Sequence, residues 1–195
     1  KNLCIALLLV TTSLSFAQKA KPKAATSSAL ATFENLKAEI ITEGGKQKLA
    51  IIIDNAGKKE NVILKDLTTK DKAQQPTNFK IKSFTVSGVK LYHFSYTENI
   101  ITETKLKKEN ALITSNEIWD LSATKLKILG NIQTVTNIKE IKKLGKSEAT
   151  ETVEKTRREG FEFVLTKDFE VLLSTKIQTN KYKFNATTRR YDPKK

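Results

Sequence analysis

Across its 195 residues the chain has one cysteine, one histidine and four arginines, so the side chains that most often carry out chemistry are nearly absent. The cysteine is Cys4, at the edge of an apolar run from Leu3 to Val10. Lys1-Asn2, that short run and the small-residue exit Ser15-Phe16-Ala17 predict a cleavable export signal over residues 1–17, cut after Ala17. The run is too short for a bilayer, which takes about 20 apolar residues, and no second run of that length follows, so no transmembrane span is expected. Cys4 lies at the start of the apolar run and not at the cleavage point, so it cannot serve as the lipidated cysteine of a lipoprotein signal. Its removal leaves a chain with no thiol and no disulfide, which excludes thiol catalysis and cysteine-ligated metal. The expected location is the periplasm or the cell exterior.

His93 lies in Leu91-Tyr92-His93-Phe94 and has no second histidine to work with. Two-His and three-His zinc sites are therefore excluded, and a core or edge position on a strand is the better reading. No Gly-x-Ser-x-Gly elbow presents a nucleophile. Gly145-Lys146-Ser147 is half of a phosphate-binding loop, but Glu140 stands where that motif needs its first glycine. No Asp-rich calcium loop is present. Asn185-Ala186-Thr187 fits a glycosylation acceptor, which means little if the source is bacterial, as the Lys, Asn, Ile and Thr content suggests. No cofactor is expected, and the chain reads as non-catalytic. The carboxylates are scattered; pairs drawn from Glu39, Glu43, Glu98, Glu103, Glu162, Asp168 and Glu170 would suit glycan hydrolysis only at the right separation, and aromatic sugar platforms are sparse.

The most abundant feature is positive charge, a formal +14 with 31 of 35 basic residues lysine. Together with plentiful Asn, Ile and Thr this reads as the product of AT-rich bacterial codons. It also suits an anionic partner: anionic lipid, lipopolysaccharide or acidic glycan, with nucleic acid the least expected. Two patterns give that reading residues. Lysines flank one apolar residue in Lys80-Ile81-Lys82, Lys105-Leu106-Lys107, Lys125-Leu126-Lys127 and Lys181-Tyr182-Lys183. On a strand both lysines of each pair face one side, and neighbouring strands would make a positive sheet face; lysine also discourages edge pairing. The arginines come only as pairs, Arg157-Arg158 and Arg189-Arg190, and guanidinium takes carboxylate or phosphate bidentately. Glu154 and Asp192 are the expected structural partners of those pairs. The candidate ligand-binding residues are thus Lys80, Lys82, Lys125, Lys127, Arg157, Arg158, Lys181, Lys183, Arg189 and Arg190.

Removing the signal leaves about 178 residues, enough for one domain that buries roughly 70% of its unfolded surface. Residues 18–32 read as a flexible leader, 33–190 as a single β-rich domain and 191–195 as a polar tail. Two-residue alternation dominates from Phe33 onward. Leu36–Glu43 and Lys46–Asp54 form a hairpin about Gly44-Gly45, and Leu49, Ile51 and Ile53 share a face. Ser83-Phe84 breaks the alternation, which predicts a bulge. Gly130-Asn131 reads as another hairpin turn, and Ser147–Arg158 is ambiguous, a helix capped by Ser147 or an exposed strand, with the Thr-rich alternation tilting it slightly to strand. Ile138, Ile141 and Leu144, three apart, predict a short helical element over 138–145. The fold class is mainly β, with β-rich α+β as the variant: an antiparallel curved sheet, sandwich or barrel-like. The functional expectation is an exported binding or scaffolding protein, an amphiphile or lipid carrier in its specific form. A polyanion-binding surface protein is the alternative, and a carboxylate-based glycan hydrolase the third reading.

Overall fold

The computed structural model describes residues 29–68, 74–122, 124–145 and 149–194. The export signal and residues 18–28 of the leader lie outside them, as do Lys146 and Ser147 of the glycine-lysine-serine triplet. The architecture is mainly β and antiparallel, in three sheets, none of them closed.

The N-terminal sheet contains β1 (Ala31–Phe33), β2 (Leu36–Glu43), β3 (Lys46–Asn55) and β4 (Lys58–Asp66) in simple up-and-down order. The expected hairpin is present. Gly44 and Gly45 take φ of +60° and +76°, the geometry of a tight turn that follows the strand twist. Leu36 then pairs with Ile53, Ala38 with Ile51 and Ile40 with Leu49. Leu49 and Ile51 are fully buried, each contributing about 1.5–3 kcal/mol of burial. The last two residues assigned to the leader, Ala31 and Thr32, are strand, because Ala31 pairs with Ala38 across β2.

The central sheet runs β5 (Thr77–Val86), β6 (Val89–Glu103), β7 (Lys107–Asp120), β8 (Leu126–Lys143) and β9 (Thr150–Gly160). The expected strand at Ser147–Arg158 is β9 where it is described. Both faces of this sheet are covered, but over different stretches. Phe79, Ile81, Phe94, Tyr96 and Trp119 pack against Leu49, Ile51 and Val62 of the N-terminal sheet. Phe84, Leu91 and Ile118 point the other way, into Val171, Phe184 and Tyr191. Those three belong to the C-terminal sheet of β10 (Glu162–Leu165), β11 (Val171–Ser174), β12 (Thr179–Asn185) and β13 (Arg190–Pro193).

This two-sided burial corrects the bulge expected at Ser83-Phe84. Ser83 pairs regularly with Tyr92 and Phe84 with Leu91, and the irregularity in that ladder lies instead between Thr77 and Lys80. The alternation breaks because the covered face changes from one sheet to the other along β5. The helical element over 138–145 is also absent. Those residues continue β8 and the turn after it, and Gly130-Asn131 lies inside the same strand, opposite Glu117 and Asn116. Ile138 and Ile141 are three apart and so occupy opposite faces of a strand, 4% and 39% exposed. Apolar side chains at the distal end of β8 thus fall on both faces, so no single apolar side marks it. The polar tail is corrected as well: Arg190–Pro193 is β13, and Tyr191 is buried, its hydroxyl donating to the Phe169 carbonyl at 2.9 Å.

The interior between the N-terminal and central sheets holds two carboxylates, both partnered. Glu98 accepts from Lys65 through both oxygens at 3.0 and 2.8 Å. Glu117 accepts from the Trp119 indole at 2.7 Å and from Lys127 at 3.3 Å. Among the described residues no buried side-chain nitrogen or oxygen lacks a hydrogen-bond partner, as a stable interior requires.

Candidate functional site

Two open clefts of comparable size occur where the sheets meet. The first, about 790 Å³, lies at the junction of all three, with Glu60, Tyr92, Asp120, Lys125 and Arg189 among its walls. Each of its cations has a carboxylate. Lys125 is hydrogen-bonded to Glu60, Arg189 is ion-paired with Asp120, and Lys90 reaches Glu34 at 2.7 Å. Asp120 is almost wholly buried and also accepts the Ser122 amide at 3.0 Å. The hydrogen bond from Lys125, with its charge, holds the Glu60 carboxyl below the usual carboxylate range. Glycoside hydrolysis needs one carboxyl kept protonated as an acid. The cleft contains two acidic side chains, and each is already engaged by a cation, Glu60 by Lys125 and Asp120 by Arg189. The arrangement acts as a clamp between sheets.

The second cleft, about 880 Å³, separates the β8–β9 end of the central sheet from the β10–β11 end of the C-terminal sheet and the turn after β11. Arg158 and Lys176 line it with the hydroxyls and amide of Thr156, Ser174 and Gln133. Neither cation makes an ion pair among the described residues, and Glu162 is the one acid in the lining. Thr175 Oγ accepts the amides of Ile177 and Gln178 at 3.4 and 3.3 Å, which fixes the turn that carries Lys176. Ile177 beside it is 93% exposed. The opposite wall is set by Gly160, where the chain leaves the central sheet. Asn131 Nδ2 donates to the Phe161 carbonyl at 2.9 Å and anchors that exit.

The sequence-predicted residues do not converge. The lysine pairs sit on β5, on the turn beside β7, at the start of β8 and on β12, and no two of these elements are sheet neighbours except the turn beside β7 with β8. The continuous positive face is therefore corrected. Lys80 and Lys82 stand on edge strand β5, exposed, with Lys82 paired across the ladder to His93. Lys125 and Lys127 are structural: the first holds Glu60, and the second holds Glu117 with its ammonium 5.6 Å from the Trp119 ring centre. Lys181 and Lys183 occupy the outer face of the C-terminal sheet, where their charges help Lys194 hold Glu170 ionised. Arg190 is exposed there too.

The arginine partners also differ from expectation. Arg157 lies 3.5 Å from Glu159, and Glu154 pairs with Lys139 instead. Glu154 and Arg157, three apart on β9, point to opposite faces. Asp192 accepts from Asn185 at 2.8 Å, and Arg189 reaches across to Asp120. Of the ten predicted residues only Arg158 enters the second cleft. Lys176, Gln133 and Thr156 were missed. Lys176 stands in a turn, outside every lysine pair, and only the docking of one sheet on another brings it to Arg158.

His93 fits its sequence reading. It is half-buried, stacked on Phe163 at 5.0 Å, with Nε2 3.0 Å from Asn116 Oδ1. Burial pushes its pKa below the ordinary value, with the Lys82 charge adding to that and the Asn116 bond opposing it. Among the described residues no cluster of three or more His, Cys, Asp or Glu side chains is placed to hold a metal, and no helix is long and apolar enough to cross a membrane. No protein-family model matches the chain, and neither the curated proteins nor the solved structures contain a significant match.

Proposed function

We propose that the chain is an exported, non-catalytic binding protein, periplasmic or secreted, whose cleft between β8–β9 and the C-terminal sheet takes an anionic group. The observation that supports this is the contrast between the clefts. At the three-sheet junction every cation already has a carboxylate. In the second cleft Arg158 and Lys176 have none among the described residues, and hydroxyl and amide groups stand beside them. A guanidinium offers two parallel donors to phosphate or carboxylate, and the ammonium adds a second charge. The charge distribution agrees: between residues 29 and 68 six acidic side chains balance six basic ones, so the excess positive charge of the described chain lies in the other two sheets.

Anionic lipid, lipopolysaccharide and acidic glycan share this chemistry. Retention on phosphocellulose should fall steeply with salt, because the attraction is screened within about 8 Å at physiological ionic strength. Arg158→Gln combined with Lys176→Gln should elute at clearly lower salt than the parent. Lys80→Gln with Lys82→Gln, of equal charge change, should elute between them. Equal elution of the two double variants would remove the cleft from the explanation and leave only net charge.

A further inference from the structure

Resting on that reading, we infer that the anion bound at Arg158 is the head of a single-chain amphiphile, and that its hydrocarbon chain lies across the uncovered face of the central sheet. The ladder registers place the residues. Arg158 pairs with Val135, Val135 with Leu112, and Leu112 with Asn99. These four form one cross-strand row on the face that, nearer the core, packs on the C-terminal sheet. Ile101, two residues beyond Asn99, sits diagonally next to Leu112 on the same face. Leu112 is 45% exposed and Ile101 49% exposed, with Val135 half-buried between Leu112 and Arg158.

Leu112 and Val135 are the aliphatic members of this row, with Asn99 at its far end, and Ile101 heads the next row. On one side stand Thr97, Thr114 and Gln133, and on the other Asn110, Asn137 and Thr156. Within that row Thr156 donates to Asn137 Oδ1 at 3.0 Å. A short apolar strip running from Val135 through Leu112 diagonally to Ile101, flanked by polar side chains and with a guanidinium at one end, matches a molecule with one charge and one chain. Strands lie about 4.8 Å apart, so the path from Arg158 to the strand of Ile101 is about 14 Å. Exposed apolar side chains that adjoin one another, as these do, mark a contact site more often than scattered ones. The three sheets do not close, so the amphiphile would rest on an open face with its head in the cleft.

The test is calorimetry of the full chain with inorganic phosphate, n-butyl phosphate and n-dodecyl phosphate, each below any micelle concentration. A methylene fully removed from water is worth about a fourfold gain, and one half-covered on an open face about twofold. Dodecyl phosphate should therefore bind on the order of a hundredfold tighter than butyl phosphate. Leu112→Asn should abolish most of that gain and leave butyl phosphate affinity unchanged. Arg158→Gln should weaken both alkyl phosphates about tenfold. Unfolding curves matching the parent would show that the variants remain folded. Butyl and dodecyl phosphate binding alike would overturn the chain and leave the anion cleft standing. No binding of any phosphate probe would overturn both. Dodecyl phosphate binding that ignores Arg158→Gln, or a dimer in sedimentation that Leu112→Asn dissolves, would show the strip serving another partner.

Discussion

Gly160 offers the sharpest test of how the central and C-terminal sheets are joined. It ends β9, pairs with Gln133 and has φ of +78°, a conformation that side chains rarely adopt. A Cβ built there would fall on the Ile132 carbonyl oxygen, inside any real contact distance, and 3.3 Å from Gln133 Cα. Both obstacles are backbone, so neither can swing aside. The left-handed conformation alone costs alanine about 1–2 kcal/mol. Relieving the overlap means breaking the last pair of the β8–β9 ladder and stretching the Asn131–Phe161 bond, each worth about 1 kcal/mol net. Gly160→Ala should therefore cost about 3–4 kcal/mol, a large share of a typical 5–15 kcal/mol. Gly45→Ala is the control. Its φ is +76° and nothing lies within 4 Å of the added carbon, so only the conformational cost applies, about 1 kcal/mol. Urea unfolding at constant m-value reads both. Equal losses at the two positions would refute the close approach of β9 to β8. A Gly160→Ala protein of full stability but altered cleft affinity would place the strain in the ligand site alone.

Other outcomes follow from the same geometry. Arg189→Gln strips a nearly buried Asp120 of its cation and should cost about 2 kcal/mol, below the range for fully buried pairs because Arg189 is half exposed; adding Asp120→Asn should recover about half, read by urea unfolding. His93 has a folded pKa below its ordinary 6.5, so the unfolded chain takes up the proton first. Its contribution to stability is thus complete above about pH 6.5 and is lost as pH falls towards the folded pKa. Thermal melting between about pH 5 and 8 should show that slope in the parent and a flatter one in His93→Gln. Leu49→Ala, at a fully buried position, should cost about 3 kcal/mol in urea unfolding, while Ile177→Ala on the exposed turn should stay within about 0.5 kcal/mol.

How much of the fold was legible depended on which side of a strand had a cover. The first hairpin could be read because Gly44-Gly45 fixes its turn and one face of β3 is uniformly apolar. β5 misled because it buries Phe79 and Ile81 on one face and Phe84 on the other, and a pattern reader treats such a switch as a bulge. β8 misled more seriously. Its distal half buries Thr136 and Ile138 on one face but leaves Ile141 on the other partly exposed, so no period dominated, and a chance spacing of three among Ile138, Ile141 and Leu144 resembled a helix. Hydrophobic periodicity reports contrast between faces, and a strand whose faces are equally wet or equally dry offers none.

The site was harder to read for a different reason. Runs such as Lys125-Leu126-Lys127 draw attention because their members are close in sequence, and closeness in sequence also supplies structural roles, here ion pairs to Glu60 and Glu117. A cation left available for a ligand has to be one whose neighbours cannot neutralise it. Arg158 satisfies that condition through geometry alone: Glu159 beside it on β9 points to the other face and is taken by Arg157. Its companion Lys176 comes from a different sheet, held in place by a turn that Thr175 locks. The meeting of two cations that form no ion pair among the described residues is therefore a product of sheet docking. Among the ten residues singled out by sequence, the one that lines the second cleft was distinguished by the direction in which its strand turned it.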